Sequence, residues 1–250
     1  MLLFLCRLSF SEKDLSNFIP FVREEKLKKI SSYKMSRDRQ RSLFAELLVF
    51  YAVLSFENSG DSPESIQPAF ISEDELISFL SAEKNFSAIS DIRILEDRLG
   101  KPYLSNSKLH FCISHSDGYV CCAIGKKRIG VDIQRIKSFS DNVAKKILSP
   151  DEYMYLESST DKDLLFFYYW SLKEAYIKMT GEGLKRLFTN EGDKNKSSSV
   201  TLVCASKLKP PLPQKVVLHD LLLGLRQPAR IFLIDNSYVL ALCTASALSV

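Results

Sequence analysis

The sequence predicts an α+β fold made of two similar halves related by a pseudo-twofold axis. Three observations carry that expectation. Short apolar runs with strand character recur along the chain, and two long apolar stretches have helical spacing. The order of a short helix followed by a long one starts near Ser36 and again near Asp161, half the chain apart. Side-chain identities do not repeat between the halves, so the recurrence is one of architecture.

Taken in order, residues 2–10 (LLFLCRLSF) read as a strand. A first helix is predicted at 20–30, opened by Pro20 at a position where a missing N–H costs nothing. A second starts at Ser36, read as its N-cap, and runs through LFAELLVFYAVL to about Ser55. Residues 58–69 (NSGDSPESIQPA) are loop material, and a short helix started by Ser72 covers 72–81. Strands follow at 91–95, 110–116, 119–125 and 128–134, the middle two joined by a turn at Asp117-Gly118. Helices are predicted at 141–148 and 150–157, the latter started by Pro150. A long helix runs from Asp161 to Thr180 and stops at Gly181. Residues 190–199 and the KPPLP at 209–213 break the chain. Strands at 229–234 and 238–243 close it as a hairpin around Asp235-Asn236.

Composition sets the class. Hydrophobic residues make up 46% of the 250 and charged residues 26%, a globular balance with a net charge of only +4. That is too little to indicate nucleic acid, and no nucleic-acid motif is present. The charge is concentrated in residues 23–41, where eight basic residues face three acidic ones. The six cysteines form no CxxC pair and mostly lie in apolar runs, as buried thiols in a reducing compartment do. The opening MLLFLC is too short for a signal-peptide core, and no run approaches the ~20 apolar residues of a membrane span. A cytoplasmic protein without membrane or nucleic-acid partners is the expectation.

Two segments hold the candidate chemistry. In GVDIQ (130–134) the strand period places Val131 and Ile133 on one face and Asp132 and Gln134 on the other. In WSLKEAYIKMTGEGL (170–184) helical spacing puts Trp170, Glu174, Ile177 and Lys178 on one face. Glu174 and Lys178 have the i,i+4 spacing of an ordinary surface ion pair, worth only ~0.3–0.5 kcal/mol. Beside Trp170, however, they belong to a face that packs inward, where a metal ion and a phosphate would satisfy both.

GVDI followed about forty residues later by WSLKEAYIK resembles the paired signatures of phosphopantetheinyl transferases, in the larger type that activates nonribosomal peptide and polyketide synthases. GKPYL (100–104) and FCISHS (111–116) precede GVDI in the order that family shows. EKLKKI (25–30) and RQRSLFAELL (39–48) are similar to its N-terminal basic helices. The resemblance covers roughly residues 20–190. It implies two α/β halves, 1–116 and 117–250, meeting at a cleft that holds coenzyme A and Mg2+ or Mn2+. The first half would supply basic helices for the nucleotide, the second the metal-binding and catalytic residues. By that resemblance Asp132 and Glu174 match the metal-binding acids, and Lys178 matches a lysine that meets the pyrophosphate. Ser114 and His115 match coenzyme-contacting positions, and Lys101 lies where the adenine nucleotide is held. Lys26, Lys29 and Arg41 resemble residues around the 3′-phosphate. Many family members carry a third acid where this chain has Gln134.

The implied reaction moves 4′-phosphopantetheine from coenzyme A to a serine of an acyl, peptidyl or aryl carrier domain. Adenosine 3′,5′-bisphosphate is released, and the enzyme acts as a monomer. A catalytically degenerate member that only binds coenzyme A or a carrier is the alternative within the family. Outside it stands a phosphate- or RNA-binding protein using residues 23–41.

Overall fold

A computed structural model describes residues 1–11, 13–59, 66–183, 187, 214–220 and 225–245. The chain divides into two compact units, Met1–Lys127 and Arg128–Val250. A division at 116/117 would instead cut a hairpin whose two strands pair from Ser116↔Tyr119 to His110↔Gly125.

The first unit contains β1 (Leu2–Arg7), a 3-10 helix (Ser16–Phe21), α1 (Glu24–Ser32) and α2 (Ser36–Asn58). Then come β2 (Ala69–Ile71), α3 (Glu73–Ser81), α4 (Glu83–Ile89), β3 (Ile94–Glu96), β4 (Pro102–Leu104), β5 (His110–Ser116) and β6 (Tyr119–Gly125). Four of its strands form one sheet in the order β2-β1-β6-β5, and β3 pairs with β4 separately. Every residue of α2 from Ser42 to Leu54 is buried. The cause is its position: α2 touches β1, β5 and β6 and also α1, α3 and α4, so no side of its middle turns reaches water.

The second unit contains β7 (Ile129–Arg135), α5 (Asp141–Ile147), α6 (Pro150–Glu157), α7 (Lys162–Thr180), β8 (Gln214–Asp220), β9 (Leu225–Ile234) and β10 (Tyr238–Thr244). Its antiparallel sheet runs β7-β10-β9-β8, and α7 lies against β7 and β10. Each unit has its own hydrophobic core. Among the described residues no helix is long and apolar enough to cross a membrane.

The two units share a plan. In each, the first strand pairs antiparallel with the last, which pairs with the strand before it, and one long helix packs on that sheet. The long helix begins at Ser36 after a strand starting at Leu2, and at Lys162 after a strand starting at Ile129. The additions differ: β2 joins β1 in parallel, whereas β8 extends the other edge beside β9.

Local chemistry explains the boundaries. Ser72 caps α3 by accepting from the Glu75 amide, and Asp161 caps α7 by accepting from the Leu164 amide. Ser149 and Glu152 form a reciprocal capping box around Pro150 at the start of α6. Gly181, with φ +81°, ends α7 in the left-handed conformation that glycine adopts without strain. Asp235 and Asn236, both at positive φ, make the turn between β9 and β10.

Some expectations need correction. Pro20 does not open a helix; it sits inside the 3-10 helix, and α1 starts only at Glu24. Ser36 is the first residue of α2 rather than its cap, since Met35 holds that position and makes no side-chain cap bond. The strands β2, β4 and β8 and the helix α4 were not predicted. The polar segments 190–199 and 209–213, and Cys204, lie outside the described residues.

One contact fixes how closely α7 sits on its sheet. A Cβ added to Gly130 would lie 1.9 Å from the Ala175 carbonyl oxygen and 2.6 Å from the Met179 nitrogen, both main-chain atoms of α7. Only glycine allows strand and helix backbones to meet here. Gly130→Ala should therefore lower the melting temperature by roughly 5 °C or more, against little change for Gly125→Ala, whose added Cβ meets only the Met1 residue at 3.3 Å. Thermal denaturation of the two variants checks this, and equal small losses would show that α7 can move aside.

Candidate active site

Gly130, Asp132 and Gln134 occupy one face of β7 by strand alternation, and Gly130 shows that this face is turned to α7. Asp132 is fully buried, although its neighbours Val131 and Ile133 are also buried, so the strand has no wet side at this point. Its Oδ1 accepts a hydrogen bond from the Lys178 ammonium at 2.6 Å. Gln134 donates from Nε2 to Glu174 Oε2 at 3.2 Å. Lys178 lies 3.8 Å from the same Glu174 oxygen. Asp132, Gln134, Glu174 and Lys178 thus form one cluster across the β7–α7 contact.

This is not a solvated helix ion pair. Glu174 is buried, and Lys178 makes its shorter contact to the strand rather than to its i,i+4 neighbour. Burial, followed by repulsion from Asp132, pushes the Glu174 carboxyl up to about 8 from an ordinary 4.5; Lys178 and the Gln134 hydrogen bond pull the other way. Two desolvated acids are thus held together with one ammonium beside them. Hard carboxylate oxygens in that state suit a divalent cation such as Mg2+, and Asp132 and Glu174 are the residues that would hold it. Among the described residues no group of three or more acids, histidines or cysteines is assembled for a metal, in keeping with Gln134 at the third position.

The other predicted residues lie in the first unit. Lys26 and Lys29 are on α1; Lys29 is exposed, whereas the Lys26 side chain is largely covered and sits 4.0 Å from Glu46 Oε2. Arg41, in the second turn of α2, pairs with Asp38 at 3.2 Å and keeps its buried Nε without a hydrogen bond among the described residues. Lys101 closes the β3–β4 turn, where the Asp97 carboxylate accepts from the Leu99 and Lys101 amides. Ser114 and His115 are neighbours on β5 and point to opposite faces, Ser114 buried and His115 exposed. His115 is therefore not a core histidine.

Four buried charges, Glu46, Glu73, Glu152 and Lys173, were missed in the sequence, and two of them bear on the clusters. Lys173 is almost wholly buried, donating to Glu152 Oε2 at 2.6 Å and to the Ile147 carbonyl at 2.8 Å. It fastens α7 to the α5–α6 junction and leaves Glu174, the next residue, turned toward β7. Glu46, in the middle of α2, is the second. Its signal was available: a lone acid within the apolar run LFAELLVF.

Comparison with known proteins places the cluster in a family. The model of the 4′-phosphopantetheinyl transferase superfamily matches residues 128–243, which include Asp132, Glu174 and Lys178. The chain is similar to the 4′-phosphopantetheinyl transferase Sfp of Bacillus subtilis, with 30% identity over 177 residues, 70% of this chain and 66% of that protein. It is 42% identical over 88 residues to a second 4′-phosphopantetheinyl transferase of Bacillus subtilis, 34% of this chain and 39% of the relative. With the 4′-phosphopantetheinyl transferase HetI of Nostoc sp. it shares 41% identity over 97 residues, 35% of this chain and 41% of the relative. In each case the chain spans less than two thirds of the relative's own length.

The raised Glu174 has a consequence for the metal-free protein. Because the folded chain holds this proton more tightly than the unfolded one, the stabilisation is complete below about 4.5 and is lost as pH rises through about 8. Glu174→Gln cannot ionise, so in chelator its melting temperature relative to the parent should rise by about 4 °C or more between pH 5 and pH 9. A difference that stays the same at both pH values would mean that Glu174 is not destabilised by burial.

Proposed function

Because the chain belongs to the 4′-phosphopantetheinyl transferase superfamily, we propose that it transfers the 4′-phosphopantetheine of coenzyme A to a serine of an acyl or peptidyl carrier protein, releasing adenosine 3′,5′-bisphosphate. The observation that carries this reading is the cluster of two buried acids, Asp132 and Glu174, with the partly exposed Lys178, which lies inside the segment the family model matches.

The serine oxygen forms a bond to the pyrophosphate phosphorus next to pantetheine, and the bond from that phosphorus to the bridging oxygen breaks. Little covalent work falls to the protein; positioning and charge neutralisation do most of it. With a cation beside it Glu174 would be ionised and would accept the serine proton. Lys178 donates to the departing phosphate oxygen, its ammonium already poised between the two acids. Mg2+ or Mn2+ held by Asp132 and Glu174 would supply charge neutralisation at the pyrophosphate. Gln134 contributes an amide rather than a third charge and orients Glu174 through its hydrogen bond.

Lys26 and Arg41 are assigned to the nucleotide's 3′-phosphate, supported by the Lys26 ammonium and the Arg41 Nε making no hydrogen bond among the described residues. Lys29, Lys101, Ser114 and His115 are assigned to the remaining coenzyme contacts. The enzyme is proposed to act in the cytoplasm as a monomer.

Incubating the protein with a carrier domain, coenzyme A and magnesium should raise the carrier's intact mass by one phosphopantetheine group. Asp132→Ala should slow that gain by about 100-fold or more while leaving the circular dichroism spectrum unchanged. An unmodified carrier, across several acyl and peptidyl carriers, would point to a member that binds without catalysis. Near-normal transfer by Asp132→Ala would remove the acid from the mechanism.

A further inference from the structure

Of the three acids of α2, Glu57 is exposed, Asp38 is half-buried and Glu46 is buried. Its two oxygens are treated differently. Oε1 accepts from Arg23 Nε at 3.3 Å, and the same guanidinium donates from Nη1 to Glu96 Oε1 on β3 at 3.0 Å. Oε2 lies 4.0 Å from the Lys26 ammonium, too far for a hydrogen bond. Arg23 is the residue immediately before α1, so the bond to Glu46 fixes where that helix starts. Lys26 stands one turn further along.

An arginine–glutamate pair alone would be ordinary structural cement, and it accounts for Oε1. It does not account for Lys26. That side chain is 13% exposed, yet among the described residues its ammonium donates no hydrogen bond. A covered ammonium in this condition is costly unless a fixed negative charge lies near, and Glu46 is the nearest. The arrangement keeps the charge in place while leaving its donors for something else.

Building on the assignment of Lys26 to the coenzyme, we propose that Glu46, held by Arg23, is a positioning residue that keeps the Lys26 ammonium charged and aimed for the 3′-phosphate. The carboxylate does not itself repel the ligand appreciably, because the Arg23 charge lies against it and neutralises its field beyond the first neighbour. Burial draws the Lys26 titration downward; Glu46 on α2 is the first opposing influence. Lys29 and Arg23 beside α1 act with burial, and Glu96 on β3 acts against it. Losing the Glu46 charge therefore leaves Lys26 prone to deprotonate.

The test compares coenzyme A with dephospho-coenzyme A in the full-length protein, using isosteric Glu46→Gln and Lys26→Ala. Glu46→Gln should weaken coenzyme A about three- to tenfold, leave dephospho-coenzyme A unchanged, and raise KM with kcat preserved. Its deficit should grow between pH 7 and pH 9, where the parent stays flat. The double variant should be no weaker than Lys26→Ala alone, since both act through one ammonium. If Lys26→Ala treats both ligands alike, the assignment of Lys26 has failed. If Lys26→Ala is selective but Glu46→Gln binds coenzyme A equally or more tightly, the role of Glu46 is overturned. Thermal denaturation of Glu46→Gln separates these outcomes from unfolding, and additive losses in the double variant would also count against the proposal.

Discussion

The second unit depends on the contact between the Gly130 backbone and that of α7. It brings a helix so close to a strand that Asp132 and Glu174 between them are buried, while Gln134 and Lys178 stay partly exposed. Asp132, one strand period from Gly130, is consequently buried with its charge. Neither acid of the pair could be held there alone: the cost of a buried carboxylate is met here by the Lys178 ammonium and by keeping Glu174 protonated at neutral pH. A surface pair of the same residue types would be inert. Desolvation sets this one apart.

The two units repeat a plan and load it differently. Both place one long helix over a sheet whose first and last strands are paired, and both bury one glutamate of that helix among cations. In α7 the glutamate faces a second acid and an ammonium. In α2 it faces an arginine and a lysine, and the arginine is shared with Glu96.

Much of this was legible in the sequence because local rules and global packing agree. Ser72, Pro150, Asp161 and Gly181 mark helix ends by their own chemistry, and the structure uses all four as such. Pro20 and Ser36 obey the same rules in principle, but here the chain enters α1 through Arg23 and α2 through Met35. The three-residue strands β2 and β4 are too short to show alternation. The cluster was readable because Asp132 and Glu174 carry a family signature. The burial of Glu46 was readable from its place in LFAELLVF, but its cation partners, and the pairing of Lys173 with Glu152, 21 residues away, were not, since spacing along one helix cannot reveal what another element brings to it.

If Asp132 and Glu174 hold magnesium as proposed, Gln134 leaves that ion two carboxylates rather than three. Such a site is thin for an ion that sheds water reluctantly, and the coenzyme's pyrophosphate would complete it. Calorimetric titration of magnesium with and without a non-reacting coenzyme A analogue measures this most directly. The account predicts markedly tighter magnesium binding in the presence of the analogue and, by linkage, an equal gain in analogue affinity from magnesium. Identical magnesium affinity in the two titrations would contradict it.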